Sequence, residues 1–141
     1  MSEVILEWDD LVRRVADLRS KGQKMVFVEG CFDLLHVGHV RHLRHAKEQG
    51  DVLLVALRSD DSIRSLKGPR RPLMPLEDRM GVLSSFEMVD LVTVLAEESS
   101  RRLLDALQPD VVVKAEEAGD HSIEGLIQEI ARRYGPKTAG R

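Results

Sequence analysis

Residues Val52-Leu53-Leu54-Val55-Ala56-Leu57 form an unbroken apolar run, with Gly50 and Asp51 before it and Arg58 after it. A strand with one face in water alternates polar and apolar residues. A strand apolar at every position is covered on both faces, as happens when helices pack on each side of a parallel sheet. The rest of the chain supplies the helices and further strands that this requires. Trp8, Leu11, Val12, Val15 and Leu18 recur at helical spacing and Gly22 lies just past them, so the segment 1–22 reads as an N-terminal helix. Met25 to Val28 is a β-prone run ending near Gly30. Gly38 to Gln49 reads as a helix with Val40, Leu43 and Ala46 inward and Gly50 as its stop. A short helix is expected over 60–66. Lys67-Gly68-Pro69-Arg70-Arg71-Pro72 is expected as loop, because its prolines and glycine oppose regular structure.

Pro75 suits the first turn of a helix running through Met80, Leu83 and Phe86. Val89 to Leu95 and Val111 to Val113 read as further strands, giving four in all. Ser99 is placed to cap a helix with Leu103, Leu104 and Leu107 inward. Ser122 opens a last helix whose stripe runs from Ile123 to Tyr134. Strands separated by helices imply parallel pairing with right-handed crossovers. The expected fold is a small doubly wound parallel α/β sheet of Rossmann-like type, with ligands beyond the carboxyl ends of its strands. Residues 1–141 are expected to form a single domain with a frayed tail at 135–141.

Composition excludes several function classes. The net charge of −3 gives no basic field for nucleic acid. The single cysteine, Cys31, rules out an internal disulfide and fits a reducing compartment. The longest apolar runs are strand-length, so no membrane span is expected and a cytoplasmic location is the default.

Chemistry concentrates in Gly30-Cys31-Phe32-Asp33-Leu34-Leu35-His36-Val37-Gly38-His39, which joins a buried strand to a helix. Such a junction is where a parallel α/β sheet binds phosphate, on free N–H groups and the positive end of the helix dipole. Gly30 is read as the residue that lets the chain turn after the strand, and Gly38 as the one that lets a phosphate approach without meeting a Cβ. His36 and His39, three apart, can face one pocket and donate hydrogen bonds to oxygens that gain charge during phosphoryl chemistry.

The wider series His36, His39, His42, His45 is no metal stripe. A step of three on an α-helix turns about 300°, so each successive ring slips about 60° around the axis. Cys31 has no neighbouring base to mark it as a nucleophile.

The His-x-Gly-His loop resembles the signature of the cytidylyltransferase-like nucleotidyltransferase superfamily. Arg58-Ser59-Asp60-Asp61-Ser62, the 66–72 segment and Pro75-Leu76-Glu77-Asp78-Arg79-Met80 most resemble the adenylyltransferase domain of bacterial ADP-heptose synthases. Glycerol-3-phosphate cytidylyltransferases are a more distant likeness. The resemblance covers roughly residues 8 to 114. It implies that a sugar-phosphate oxygen attacks the α-phosphorus of a nucleoside triphosphate, ATP first, and that pyrophosphate leaves in line with Mg²⁺. It further implies that His36 and His39 stabilise the transition state, with Lys67 and Arg79 reaching the reacting groups. Gly30, Cys31, Phe32, Asp33, Gly38 and Lys114 would line the nucleotide site, and a homodimer follows family habit. The resemblance leaves two alternatives: cytidylyl transfer to glycerol 3-phosphate or a related alcohol phosphate, and nucleotide binding without turnover.

Three departures from the pattern stand out. Val28-Glu29 replaces a small polar pair. Lys114-Ala115-Glu116-Glu117 replaces a Lys-Gly-Gly-Asp run. The Ser/Thr-rich C-terminal helix start has no counterpart.

Overall fold

The computed structural model describes residues 2–96 and 99–114. The expected last helix from Ser122, the 135–141 tail and the Ala115–Glu117 departure lie outside the described residues. Five strands build one all-parallel sheet in the order β1-β4-β3-β2-β5. They are β1 (Glu3–Val4), β2 (Met25–Gly30), β3 (Val52–Arg58), β4 (Leu91–Leu95) and β5 (Val111–Lys114). The helices are α1 (Trp8–Ser20), α2 (Val37–Lys47), α3 (Asp60–Lys67), α4 (Leu76–Ser84) and α5 (Arg101–Leu107).

The opening apolar run is central strand β3, and from Val52 to Leu57 it is buried at every position. Alternation splits its side chains between two cores. Leu53, Val55 and Leu57 join Val26, Val28, Leu43, Leu83 and Val92 on the face covered by α2 and α4. Leu54 and Ala56 join Met25, Phe27, Leu11, Val15, Leu103 and Leu107 on the face covered by α1 and α5. At about 1.5–3 kcal/mol for each large apolar side chain fully buried, β2 and β3 anchor the domain and fix the register of its carboxyl ends.

Several boundaries differ from the sequence reading. The segment 1–22 is not helical throughout: β1 precedes α1 and pairs with Leu91 and Val92 of β4, so the sheet has five strands rather than four. Two residues carry too little periodicity to announce a strand; the exposed edge of β4 supplies their partner. β4 starts at Leu91, because Asp90 instead uses its carboxylate to accept the Leu53 N–H at 2.8 Å. Lys67 closes α3 instead of opening the loop, and Gly68 ends the helix with φ of 102°. Ser100, not Ser99, is the N-cap residue of α5; the Ser99 hydroxyl accepts from Arg101 N–H at 3.1 Å. Helix α4 stops at Ser84, short of Phe86.

Candidate active site

The carboxyl end of β2 leads into the His-x-Gly-His loop, and α2 begins at its far side. His36 is the N-cap of α2, and its Nδ1 accepts from Gly38 N–H at 3.0 Å. His39, at the third helical position, returns the bond: its Nδ1 accepts from His36 N–H at 3.2 Å. This is a capping box made of imidazoles, satisfying two otherwise orphaned N–H groups at the helix start. The two rings lie 4.2 Å apart, centroid to centroid, and the ring of Phe32 lies 5.5 Å from His39.

The capping bonds fix the chemistry of both rings. A nitrogen that accepts carries no proton, so each neutral imidazole bears its hydrogen on Nε2. Two Nε2–H donors at the positive end of a helix form an arrangement suited to oxyanions. The role of Gly38 also becomes specific. A Cβ there would stand 2.7 Å from His36 Cε1 and 3.0 Å from its Nδ1. Within the protein itself, the His36 ring already requires that side chain to be missing. The sharp turn after β2 falls elsewhere than expected. Gly30 is still paired in the sheet, opposite Leu57, while Phe32 takes a left-handed φ of 48°. That conformation is uncommon for a non-glycine residue; burial of the ring in the core offsets its cost.

Beneath the histidines, two buried charged groups tie the loop to the rest of the fold. The Asp33 carboxylate accepts from Leu73 N–H at 2.9 Å and from Met74 N–H at 2.9 Å, with the Arg71 guanidinium 3.7 Å away. It therefore clamps the 68–75 loop against the phosphate loop. Arg79 is wholly buried. Its Nη1 donates to Cys31 C=O at 2.9 Å and to Arg58 C=O at 2.8 Å, its Nε to Met74 C=O at 3.0 Å, and its Nη2 to Asp60 Oδ1 at 2.6 Å. Four of the five guanidinium donors thus hold protein oxygens. The sequence aims Arg79 at the reacting groups; in the structure its buried guanidinium binds the phosphate loop, β3, the 68–75 loop and the start of α3 together.

The remaining candidates lie apart. Lys67 is exposed and makes no hydrogen bond or ion pair among the described residues. Lys114 is placed by its backbone opposite Glu29 in the β2–β5 register. Cys31 is buried. Among the described residues no group of three or more His, Cys, Asp or Glu could hold a metal. No helix among them is long and apolar enough to cross a membrane.

The family model described as "Cytidylyltransferase-like" matches residues 27–136, which include the whole phosphate loop. The chain belongs to the cytidylyltransferase-like family. It is thereby a nucleotidyltransferase-type transferase domain. Curated relatives agree. The bifunctional protein HldE of Alcanivorax borkumensis is 44% identical over 126 residues, 89% of this chain and 26% of that protein. The HldE of Hahella chejuensis is 48% identical over 120 residues, 84% of this chain and 24% of the relative. The chain spans about a quarter of the length of these relatives. The lipopolysaccharide core biosynthesis protein of Thermoplasma volcanium GSS1 shares the fold, with a TM-score of 0.61 at 24% identity over 81% of this chain and 90% of that one.

Around the loop of this cytidylyltransferase-like domain, Glu29, Ser100 and Asp60 have partners that sequence reasoning did not assign. Glu29 pairs with Arg58 at 3.1 Å and accepts from the Ser100 hydroxyl at 2.6 Å. The carboxylate before the phosphate loop is therefore neutralised, and strand alternation turns it to the α1/α5 face, away from α2. Asp60, the partner of Arg79, is the third. Its signal was only its place in the first turn of α3, whereas Glu77 and Asp78 stood closer to Arg79 in sequence.

Proposed function

We propose that this domain transfers the adenylyl group of ATP to a sugar phosphate such as heptose 1-phosphate, releasing pyrophosphate. One observation carries the reading: His36 and His39 are locked to each other through Nδ1 at the α2 N-terminus, which makes Nε2 the proton-bearing nitrogen of each neutral ring. An acceptor phosphate oxygen attacks the α-phosphorus, a new P–O bond forms, and the bond to the bridging oxygen breaks as pyrophosphate departs in line. The charge that develops on the phosphoryl oxygens is met by donors already in place, which is where the rate enhancement arises. Mg²⁺ enters as the ion of the triphosphate substrate. Asp33 and Asp60 already hold backbone N–H groups and Arg79, and Mg²⁺ needs few protein ligands beside phosphates and water. Adenylyl transfer to a sugar phosphate is favoured by the likeness of the 58–62, 66–72 and 75–80 motifs to ADP-heptose synthases. The dipole at the N-terminus of α2 and the paired imidazoles favour a triphosphate over any neutral ligand.

Pyrophosphate release, measured across ATP and CTP against a panel of sugar phosphates and glycerol 3-phosphate, tests the reading. ATP with a sugar 1-phosphate is expected to give turnover. His36→Ala or His39→Ala should each lower kcat by on the order of 10²–10³. Triphosphate binding without pyrophosphate release from any acceptor would refute it.

A further inference from the structure

On the side of β2 away from α2, a cleft of about 440 Å³ opens between the carboxyl ends of β2 and β3 and the start of α5. Glu29, Arg58, Ser99, Ser100, Arg101 and Asp105 line it. We propose that this cleft binds the vicinal hydroxyls of a sugar, with the Glu29 carboxylate as the principal acceptor. The assignment rests on three features.

First, the cleft is built rather than incidental. The side chains of Glu29 and Arg58 are only 14% and 12% exposed, and they hold each other at 3.1 Å. Arg58 Nη1 also donates to Ser62 Oγ at 3.0 Å, and Ser100 donates to Glu29 Oε1 at 2.6 Å. A carboxylate has about four lone-pair sites, and these two partners occupy two. Second, the lining charges among the described residues cancel: Glu29 and Asp105 against Arg58 and Arg101. A phosphate gains little net attraction there. A hydroxyl, which both donates and accepts, satisfies carboxylate, guanidinium and serine alike, and a pocket lined with hydrogen-bonding groups rejects analogues that lack the matching hydroxyl. Third, the position is the one at which open parallel sheets bind ligands, beyond the strand carboxyl ends, where an acidic residue holding a sugar diol is an established solution. Glu29 immediately precedes Gly30, so the cleft and the phosphate loop share one strand end.

The sugar has two sources, the ribose of the triphosphate or the ring of the acceptor. The proposal rests on the nucleotidyl-transfer reading for that source but not for the chemistry of the cleft. Calorimetric titration of ATP, 2′-deoxy-ATP, mannose 1-phosphate and 2-deoxyglucose 1-phosphate into the wild-type chain and Glu29→Gln separates them. Inorganic phosphate serves as the control. The expected result is an approximately tenfold weaker Kd for one hydroxylated ligand in Glu29→Gln, with phosphate binding unchanged. The matching deoxy ligand should show the same loss in the wild type and no further loss in the variant. Loss confined to ATP assigns the ribose; loss confined to mannose 1-phosphate assigns the acceptor. Ser100→Ala, which leaves the ion pair intact, should give a smaller loss on the same ligand and guards against misfolding of Glu29→Gln. Equal affinities across wild type and both variants, no discrimination against either deoxy ligand, or no binding of any sugar ligand would each overturn the proposal. A chain that binds as expected but releases no pyrophosphate would refute nucleotidyl transfer while leaving the cleft assigned.

Discussion

Arg79→Met is the most informative single change, because it separates a scaffold role from contact with substrate. Methionine fills much of the buried stem volume but removes the guanidinium. The carbonyls of Cys31, Arg58 and Met74 lose their bonds from Arg79, and the Asp60 carboxylate keeps the Leu76 N–H but loses the guanidinium. Hydrogen bonds from a charged donor contribute about 1.5–3 kcal/mol each, so simple addition over four would give roughly 6–12 kcal/mol. That sum is too large. Met74 and Asp60 are only partly buried, so water recovers part of their loss, and deleting the cation also removes its own desolvation penalty. The net cost expected for breaking a buried pair is about 3–5 kcal/mol, a large fraction of the stability of a domain this size. Arg79→Lys keeps the charge but cannot span four oxygens with one ammonium, so it should fall between. Urea unfolding followed by circular dichroism measures this as a fall in midpoint at unchanged m-value. A stability loss under 1 kcal/mol, combined with loss of triphosphate binding or turnover, would refute the scaffold assignment and return Arg79 to the reacting groups.

Gly38→Ala brings a Cβ to 2.7 Å from the His36 ring. The cap bond is worth about 0.5–2 kcal/mol, against a gain of up to about 1 kcal/mol from replacing glycine in a helix. Stability measured by urea unfolding should therefore move little, while triphosphate affinity measured by calorimetry should drop. Asp33→Asn leaves one carbonyl oxygen where two carboxylate oxygens hold the Leu73 and Met74 N–H groups. Faster hydrogen exchange at those two amides, with little change in the β3 amides, is the expected signature. The Met25 N–H bond holds the Asp110 carboxyl below its ordinary value, aided by Arg19. A lowered folded pKa contributes stability that is present above the unfolded value and lost as pH falls through the folded one. Wild type and Asp110→Asn should thus differ at neutral pH and converge in acid, as read from urea midpoints against pH.

What the sequence made legible is what short-range pattern controls. The unbroken Val52–Leu57 run could only be a doubly covered strand, and the His-x-Gly-His spacing puts both rings at one helix start. What it hid depends on partners distant in the chain. β1 exists as a strand because β4 offers an edge to Glu3 and Val4. Arg79 turns inward because Asp60, Cys31 and Met74 converge on it from three other segments, and no helical spacing encodes that. Ser100 aims its hydroxyl at Glu29, which lies 71 residues earlier in the chain. The Gly38 signal was visible, but the crowding of a Cβ against the His36 ring was not, since only the folded loop defines that ring's rotamer.

In the proposed reaction a nearly neutral strand end must attract a highly charged ligand, and these placements bear on how it would do so. Asp33 is held by backbone N–H groups, Asp60 by Arg79, and Glu29 by Arg58 and Ser100. Each charge beneath or beside the loop is thus satisfied within the protein, so none competes for a phosphate at short range. The attraction then comes from fixed dipoles: the first turn of α2 and the two imidazoles that cap it. Fixed dipoles require no reorganisation when charge develops on the phosphoryl oxygens. That condition depends on the loop keeping its shape, and its shape depends on Arg79 and Asp33. Two charged groups held within the protein therefore set the geometry of the two histidines.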